Sequence, residues 1–142
     1  MLVRVNDTST QFLHERIPLC AMLGIRAGTR FGADGVALLL DWSAEMCTGD
    51  GMLHGGILMA LADSAGGMCA YLNLPPGAAG TATIESKTNF LRAVRSGTVM
   101  ALAAPLHIGS RTIVVETDVR DESGSLAAKV IQTQIVLSGA GS

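Results

Sequence analysis

Residues 52–74 read MLHGGILMALADSAGGMCAYLNL, the longest apolar run in a chain of 142 residues. Leu53, Ile57, Leu61, Met68 and Leu72 recur mainly at three- and four-residue steps. That spacing predicts an α-helix from Met52 to about Asn73, stopped by Pro75, Pro76 and Gly77. The run is apolar almost all round, so the helix is expected to be buried on every side. One formal charge, Asp63, sits inside it, between the glycine pairs Gly55-Gly56 and Gly66-Gly67. A mid-helix glycine costs roughly 0.8–1 kcal/mol relative to alanine. Neither the charge nor the second pair serves stability.

Before the run, residues 1–9 are polar and expected to be loosely held. Thr10 to Leu23 predicts a short helix with Phe12, Leu13, Ile17 and Cys20 on one side, ended or kinked by Pro18. Gly24 to Gly32 and Gly35 to Trp42 read as strands around an Ala33-Asp34-Gly35 turn, and Ser43 to Gly51 as a loop. After the run the period changes to two. Thr81 to Phe90 sets Ala82, Ile84, Ser86 and Thr88 against Thr83, Glu85, Lys87 and Asn89. Thr98 to His107 is a strand of mostly small apolar residues. Arg111 to Arg120 turns Ile113, Val115, Thr117 and Val119 one way. Ser123-Gly124 marks a hairpin turn. Leu126 to Leu137 carries Lys129, Ile131, Thr133, Ile135 and Leu137 on one face. A helix buried all round must be wrapped by a sheet. The fold class is therefore α+β, a six-stranded antiparallel sheet around one long helix. It forms a single domain over 24–142, preceded by an N-terminal arm and short helix over 1–23.

Composition narrows the function. Charged residues make up 15% and hydrophobic residues 49%, so part of the surface is expected to contact other subunits. Net charge is −2 and the ten Lys and Arg are scattered, which excludes a nucleic-acid footprint. Three cysteines without paired spacing imply reduced thiols and a cytoplasmic protein, and the start MLVRVNDTST lacks a signal-peptide run. The central run is long enough for a bilayer, but Asp63 near its middle would cost about 2.5–3.5 kcal/mol there. Strand-like sequence follows it, so no membrane association is expected. His14, His54 and His107 lack metal-ligand spacing, and no metal or separate cofactor is expected. Cys69 has no evident partner base, and the cysteines read as packed thiols.

His54-Gly55-Gly56, the acid nine residues after the histidine, and Pro105-Leu106-His107-Ile108-Gly109-Ser110-Arg111 together resemble a known family. From about Gly24 to Leu137 the chain is similar to the hotdog-fold acyl-CoA thioesterases. The group in question contains the phenylacetate-pathway, 4-hydroxybenzoyl-CoA and 1,4-dihydroxy-2-naphthoyl-CoA enzymes. The proline-to-arginine stretch resembles the naphthoyl-CoA members in particular. The resemblance implies a thioesterase in which Asp63 is the catalytic carboxylate, the Gly55 N–H points at the thioester carbonyl, and His54 supports that carbonyl site. It also implies homodimers with shared sites, pairing further into homotetramers. Two positions depart from the pattern. Thr48 stands where relatives usually have Asn or Gln to hold the carbonyl or the water, and Gly67 stands where some carry Ser or Thr.

The residues themselves point the same way. Thioester cleavage needs an oxyanion site and a base or nucleophile within reach of the carbonyl carbon. A helix start offers free N–H groups, and Gly55 and Gly56 let a ligand oxygen approach that backbone closely. Asp63 is the only carboxylate in the run. It stands about 13.5 Å along the axis from His54, and roughly half a turn away. If both serve one site, two antiparallel helices from two copies are required. Asp63 either activates water or attacks to give a mixed anhydride.

Around Asp63, Ala60, Ala62, Ser64, Gly66 and Gly67 are small, and Met68 reads as core or pocket wall. Close helix packing is the expected role of Gly66-Gly67. Arg92, Arg95 and Arg111, with Ser110, are candidates for the CoA phosphates; Asn89 and His107 are counted among the substrate contacts. An aromatic content of 4% leaves a pocket of Met, Leu and Ala, suited to an aryl or medium-chain acyl group, with the resemblance favouring aryl. Two other readings stay open. An enoyl-CoA hydratase of the same fold pairs an Asp with a His five residues later, whereas Asp50 and His54 are four apart. A non-catalytic acyl-CoA-binding protein remains the other.

Overall fold

The computed structural model describes residues 3–139. Helix α1 (Asp7–Arg16) starts at Asn6, whose side chain accepts a hydrogen bond from the Ser9 N–H at 2.8 Å. Val5 bridges to Gly28. Residues 5–9 are therefore held, not loose. The helix expected over 10–23 is two helices. Pro18 opens α2 (Pro18–Leu23) at a position where its missing N–H has no helical partner to lose. Leu13 and Cys20 carry both helices into the main core.

Strands β1 (Arg26–Gly32) and β2 (Gly35–Asp41) form the expected hairpin, and the loop after them holds two short 3-10 turns, Ala44–Met46 and Gly49–Gly51. The central helix α3 runs Gly55–Tyr71. It begins three residues later than the apolar period suggests, because Leu53 is extended against Cys47 and His54 caps the helix. Strands β3 (Ala78–Phe90), β4 (Thr98–Ile108), β5 (Thr112–Arg120) and β6 (Leu126–Ser138) complete one antiparallel sheet in the order β1-β2-β4-β5-β6-β3. α3 packs across the inner face, against β2 to β6.

The helix is not buried on every side. Leu58, Leu61, Ala62, Ala65, Met68 and Cys69 press into the core. Gly56, Met59 and Asp63 are exposed, and Ala60, Gly67 and Tyr71 half-buried. Their three- and four-residue steps make an open stripe, since a single sheet covers only one side of a helix.

Strand β3 lies at the sheet edge and is exposed along most of its length. Thr83 pairs with Gln134 and Glu85 with Thr133, so Ile84 is an extra, bulged residue. Thr81 and Thr83 face the helix before the bulge, and Ser86, Thr88 and Phe90 face it afterwards. Glu85, Lys87 and Asn89 point to the outer face. The expectation that Thr83 shares a face with Glu85 assumed an unbroken alternation and does not hold. On β6 the alternation is regular from Ala128 onward. Ala128, Val130, Gln132 and Gln134 are buried under the helix, and Lys129, Ile131, Thr133, Ile135 and Leu137 lie outside.

Candidate active site

The start of α3 is pinned by backbone bonds. The Leu53 N–H donates to the Val94 carbonyl and the His54 N–H to the Met46 carbonyl, both at 2.9 Å. The His54 ring folds back as a cap, its Nδ1 accepting the Gly56 N–H at 2.8 Å. A neutral ring that accepts at Nδ1 carries its proton on Nε2. Gly56 has spent its donor, while the Gly55 N–H meets no acceptor among the described residues. A Cβ on Gly55 would stand 3.1 Å from the tip of the Phe90 ring. Gly55 lines a cavity of about 390 Å³ together with Thr48, Met52, Phe90 and Arg92. The Thr48 side chain makes no capping bond there. A helix start with an unpaired N–H suits a developing oxyanion.

Two turns further on, Asp63 is fixed from the sheet. Its Oδ1 accepts from Thr83 Oγ1 at 2.6 Å and from Gln132 Nε2 at 3.0 Å. Gln134 Nε2 donates in turn to Thr83 Oγ1, and Thr81 Oγ1 donates to Gln134 Oε1 at 3.1 Å. Oδ2 has no partner among the described residues. The carboxylate is thus oriented by one oxygen and free at the other. Gln132 is wholly buried and reaches Asp63 across the face of α3. A Cβ on Gly66 would fall 2.0 Å from the Gln132 Oε1. Of the second glycine pair, Gly66 alone thus serves close packing, and the packed group is a glutamine side chain of the sheet and not another helix. Gly67 has nothing within 4 Å of its own Cβ position and leaves space beside Asp63. Asp63, Ser64, Gly67, Met68 and Tyr71 line a cavity of about 580 Å³.

The expected site residues fall into separate groups within one chain. Thr48, His54, Gly55, Gly56 and Arg92 gather at the helix start, where Arg92 donates its backbone N–H to Ala127 at one end of β6. Asp63, Ser64, Gly67 and Met68 gather at the second cavity, with Ser64 buried. Ser110 and Arg111 form the exposed β4–β5 turn, beside Val136 near the other end of β6. His107 is exposed and pairs with Val114 on the outer face. Asn89 is outside as well, accepting from Lys87 Nζ at 2.6 Å. Arg95 lines a third hollow beside Asp121 and Glu122.

Thr83, Gln132 and Gln134 were not expected in the site. Two adjacent inward positions, Gln132 and Gln134, interrupt the apolar face of Ala128, Val130 and Val136, and that interruption was the available signal. Burial pushes the Cys69 thiol up to about 11, so at neutral pH it is no thiolate nucleophile. Burial likewise raises Cys20, with Ser64 bonding partly opposing it. Among the described residues no group of three His, Cys, Asp or Glu side chains could hold a metal ion. Among them, too, no helix is long and apolar enough to cross a membrane.

Residues 50–128, more than half of the chain, match the family described as the Thioesterase superfamily. A 1,4-dihydroxy-2-naphthoyl-CoA hydrolase of Escherichia coli is 36% identical over 87 residues, 61% of this chain and 63% of that protein. A thioesterase of Haemophilus influenzae superposes with a TM-score of 0.83 at 28% identity, covering 97% of this chain and 96% of that one. The Escherichia coli PaaI protein, from the phenylacetic acid degradation operon, has a TM-score of 0.81 at 22% identity, with 91% of each chain covered. That last likeness bears on the fold alone.

Proposed function

This chain belongs to the thioesterase superfamily, is a hotdog-fold thioester hydrolase, and on that premise we propose that it cleaves acyl-CoA at sites shared between two copies. In each site Asp63 of one copy works against Gly55 and His54 of the other. One observation carries the reading: a single helix bears an unpaired N–H at Gly55, its start, and a carboxylate with one free oxygen at Asp63, eight residues later. The two lie about 12 Å apart along the axis at about 1.5 Å per residue, too far for one carbonyl. Antiparallel pairing of two such helices along the open stripe of Gly56, Met59, Asp63 and Gly67 brings unlike ends together. The exposed edge of β3 beside that stripe offers unpaired backbone to the same partner.

In the reaction the thioester oxygen lies at the Gly55 N–H, where the helix start stabilises the charge that develops. The His54 Nε2–H is a second donor on the same side. Asp63 Oδ2 takes a proton from water as the water attacks the carbonyl carbon, or attacks that carbon itself; Oδ1 stays anchored to Thr83 and Gln132 in either route. The CoA thiolate leaves; in the second route water then hydrolyses the mixed anhydride on Asp63, and in both the acyl group departs as the free acid. Thr48, shorter than an amide side chain, leaves most of the carbonyl polarisation to Gly55 and His54. Arg92 at the helix-start cavity, and Arg111 with Ser110 at the β4–β5 turn, are the contacts we assign to the CoA phosphates. The chemistry uses only side chains, backbone and water, and the acyl group is aryl or medium-chain.

Thiol release from a panel of acyl-CoAs tests the chemistry, with Asp63→Ala and Asp63→Asn beside the native chain. Equal rates in all three would overturn the assignment. Subunit mixing tests the shared site. Asp63→Ala and Gly55→Pro chains, each inactive alone, should regain activity when exchanged, because a mixed pair holds one intact site. A mixture that assembles and stays inactive rules the shared site out.

A further inference from the structure

We propose that Arg16 forms a subsite for an anionic group at the far end of the acyl chain, so that the preferred substrate is a carboxylated aryl thioester. The proposal rests on the thioesterase reading and names its substrate class. Arg16 ends α1 and lines the Asp63 cavity with Ile17, Leu19 and Tyr71. Its guanidinium carbon stands 4.8 Å from the centre of the Phe12 ring and 5.3 Å from that of Tyr71. Two aromatic faces thus hold the cation at the cavity wall. None of the ion pairs among the described residues involves Arg16. A guanidinium stacked on rings keeps its in-plane N–H groups available, and their fork fits a carboxylate.

The position matters as much as the charge. Tyr71 lies eight residues after Asp63 on one helix, about 12 Å along its axis. An acyl group with its carbonyl against Asp63 and its far end toward Tyr71 and Arg16 spans one aromatic ring plus a contact distance at each end. Between the two charges the helix wall is small or apolar, with Gly67 and Met68, and Ile17 and Leu19 line the same cavity, while Thr81, Thr83 and Gln134 line its sheet side. A second carboxylate on the substrate would be repelled by Asp63 at close range, so the cavity favours it at the arginine end.

Four thioesters test this: benzoyl and 4-carboxybenzoyl groups, each on CoA and on N-acetylcysteamine, which lacks the phosphates. The readout is the ratio of kcat/KM for the carboxylated over the neutral substrate. The native chain should favour the carboxylated member on both carriers. Arg16→Met should lower the ratio about 10- to 100-fold, the scale of one charged hydrogen-bonded contact, and Arg16→Lys by less. An unchanged ratio in Arg16→Met overturns the proposal, as does a native preference for the neutral substrate. So does an equal loss on both CoA substrates that spares the N-acetylcysteamine pair, since the arginine would then serve the phosphates. Unreactive thioether analogues of the two CoA substrates, with binding followed by calorimetry, give the same ratio without turnover. Failure to hydrolyse any thioester would strike the parent reading, while the binding ratio would still decide the subsite.

Discussion

The start of α3 and its middle solve different problems with different materials. At the start, the capping is local: His54 caps Gly56 and leaves Gly55 with a free donor, and the distant Val94 only pins the backbone of Leu53. At the middle, Asp63 is held by Thr83 from 20 residues away and by Gln132 from 69. The start acts through a backbone donor backed by its own capping histidine, and the middle through a side chain. Backbone donors at a helix end need only a local cap to be oriented. A carboxylate on a rotatable side chain needs outside anchors to keep one geometry, and here two strands supply them. The division of labour teaches that one helix can host an oxyanion site cheaply but needs the sheet to host a base.

This contrast can be broken at either end. Removing the charge should cost most. Asp63→Asn is expected to lower kcat by about 10³-fold or more in thiol-release assays, toward the top of the range for a positioned acid or base. Gly55→Pro should come next, at about 10²-fold, because it deletes the donor at a helix position that tolerates proline. Gly55→Ala is its control: it crowds Phe90 equally but keeps the N–H, and the proline variant should be clearly the worse of the two. Smaller effects sharpen the middle. Gln132→Leu should reduce kcat roughly tenfold or somewhat more, with KM little changed, through loss of one hydrogen bond to a charged group. Gly66→Ala should give a similar kinetic loss and in addition destabilise the fold by about 1–3 kcal/mol in urea denaturation, because the new methyl collides with Gln132. Thr83→Val removes the other anchor, and a drop of about tenfold is expected. Thr48→Ala should matter least, at about two- to threefold, the low end of a net hydrogen bond. A Thr48 effect as large as that of Gly55→Pro would show that the start works through a side chain after all.

The same contrast explains what could be read from the sequence. The two strands, the long helix and the four later strands are each marked by a local period, turn or composition, and the sheet order adds only their pairing. His54, Gly55 and Gly56 are legible because capping is a matter of neighbours. Asp63 is legible as a charge where none is needed. Its anchors are not, because nothing near Gln132 in the chain refers to residue 63. The face of Thr83 was misread for a physical reason: alternation counts pairs and has no means of noticing an inserted residue. The open stripe on α3 was also hidden, since an apolar helix looks alike whether a second sheet or a second helix is to cover it. Arg16 was passed over because its neighbours Phe12 and Tyr71 meet only in three dimensions.

The bulge at Ile84 sets the parity of β3. Thr83 belongs to the Asp63 end of the site and Phe90 to the Gly55 end, and they are seven residues apart. An odd separation in a regular strand puts two side chains on opposite faces of a sheet. Only the extra residue between them lets both turn inward. Deleting Ile84 would leave the composition of either half untouched and yet keep one half facing the helix at the expense of the other. One inserted residue thus keeps the two chemistries in phase along a single strand.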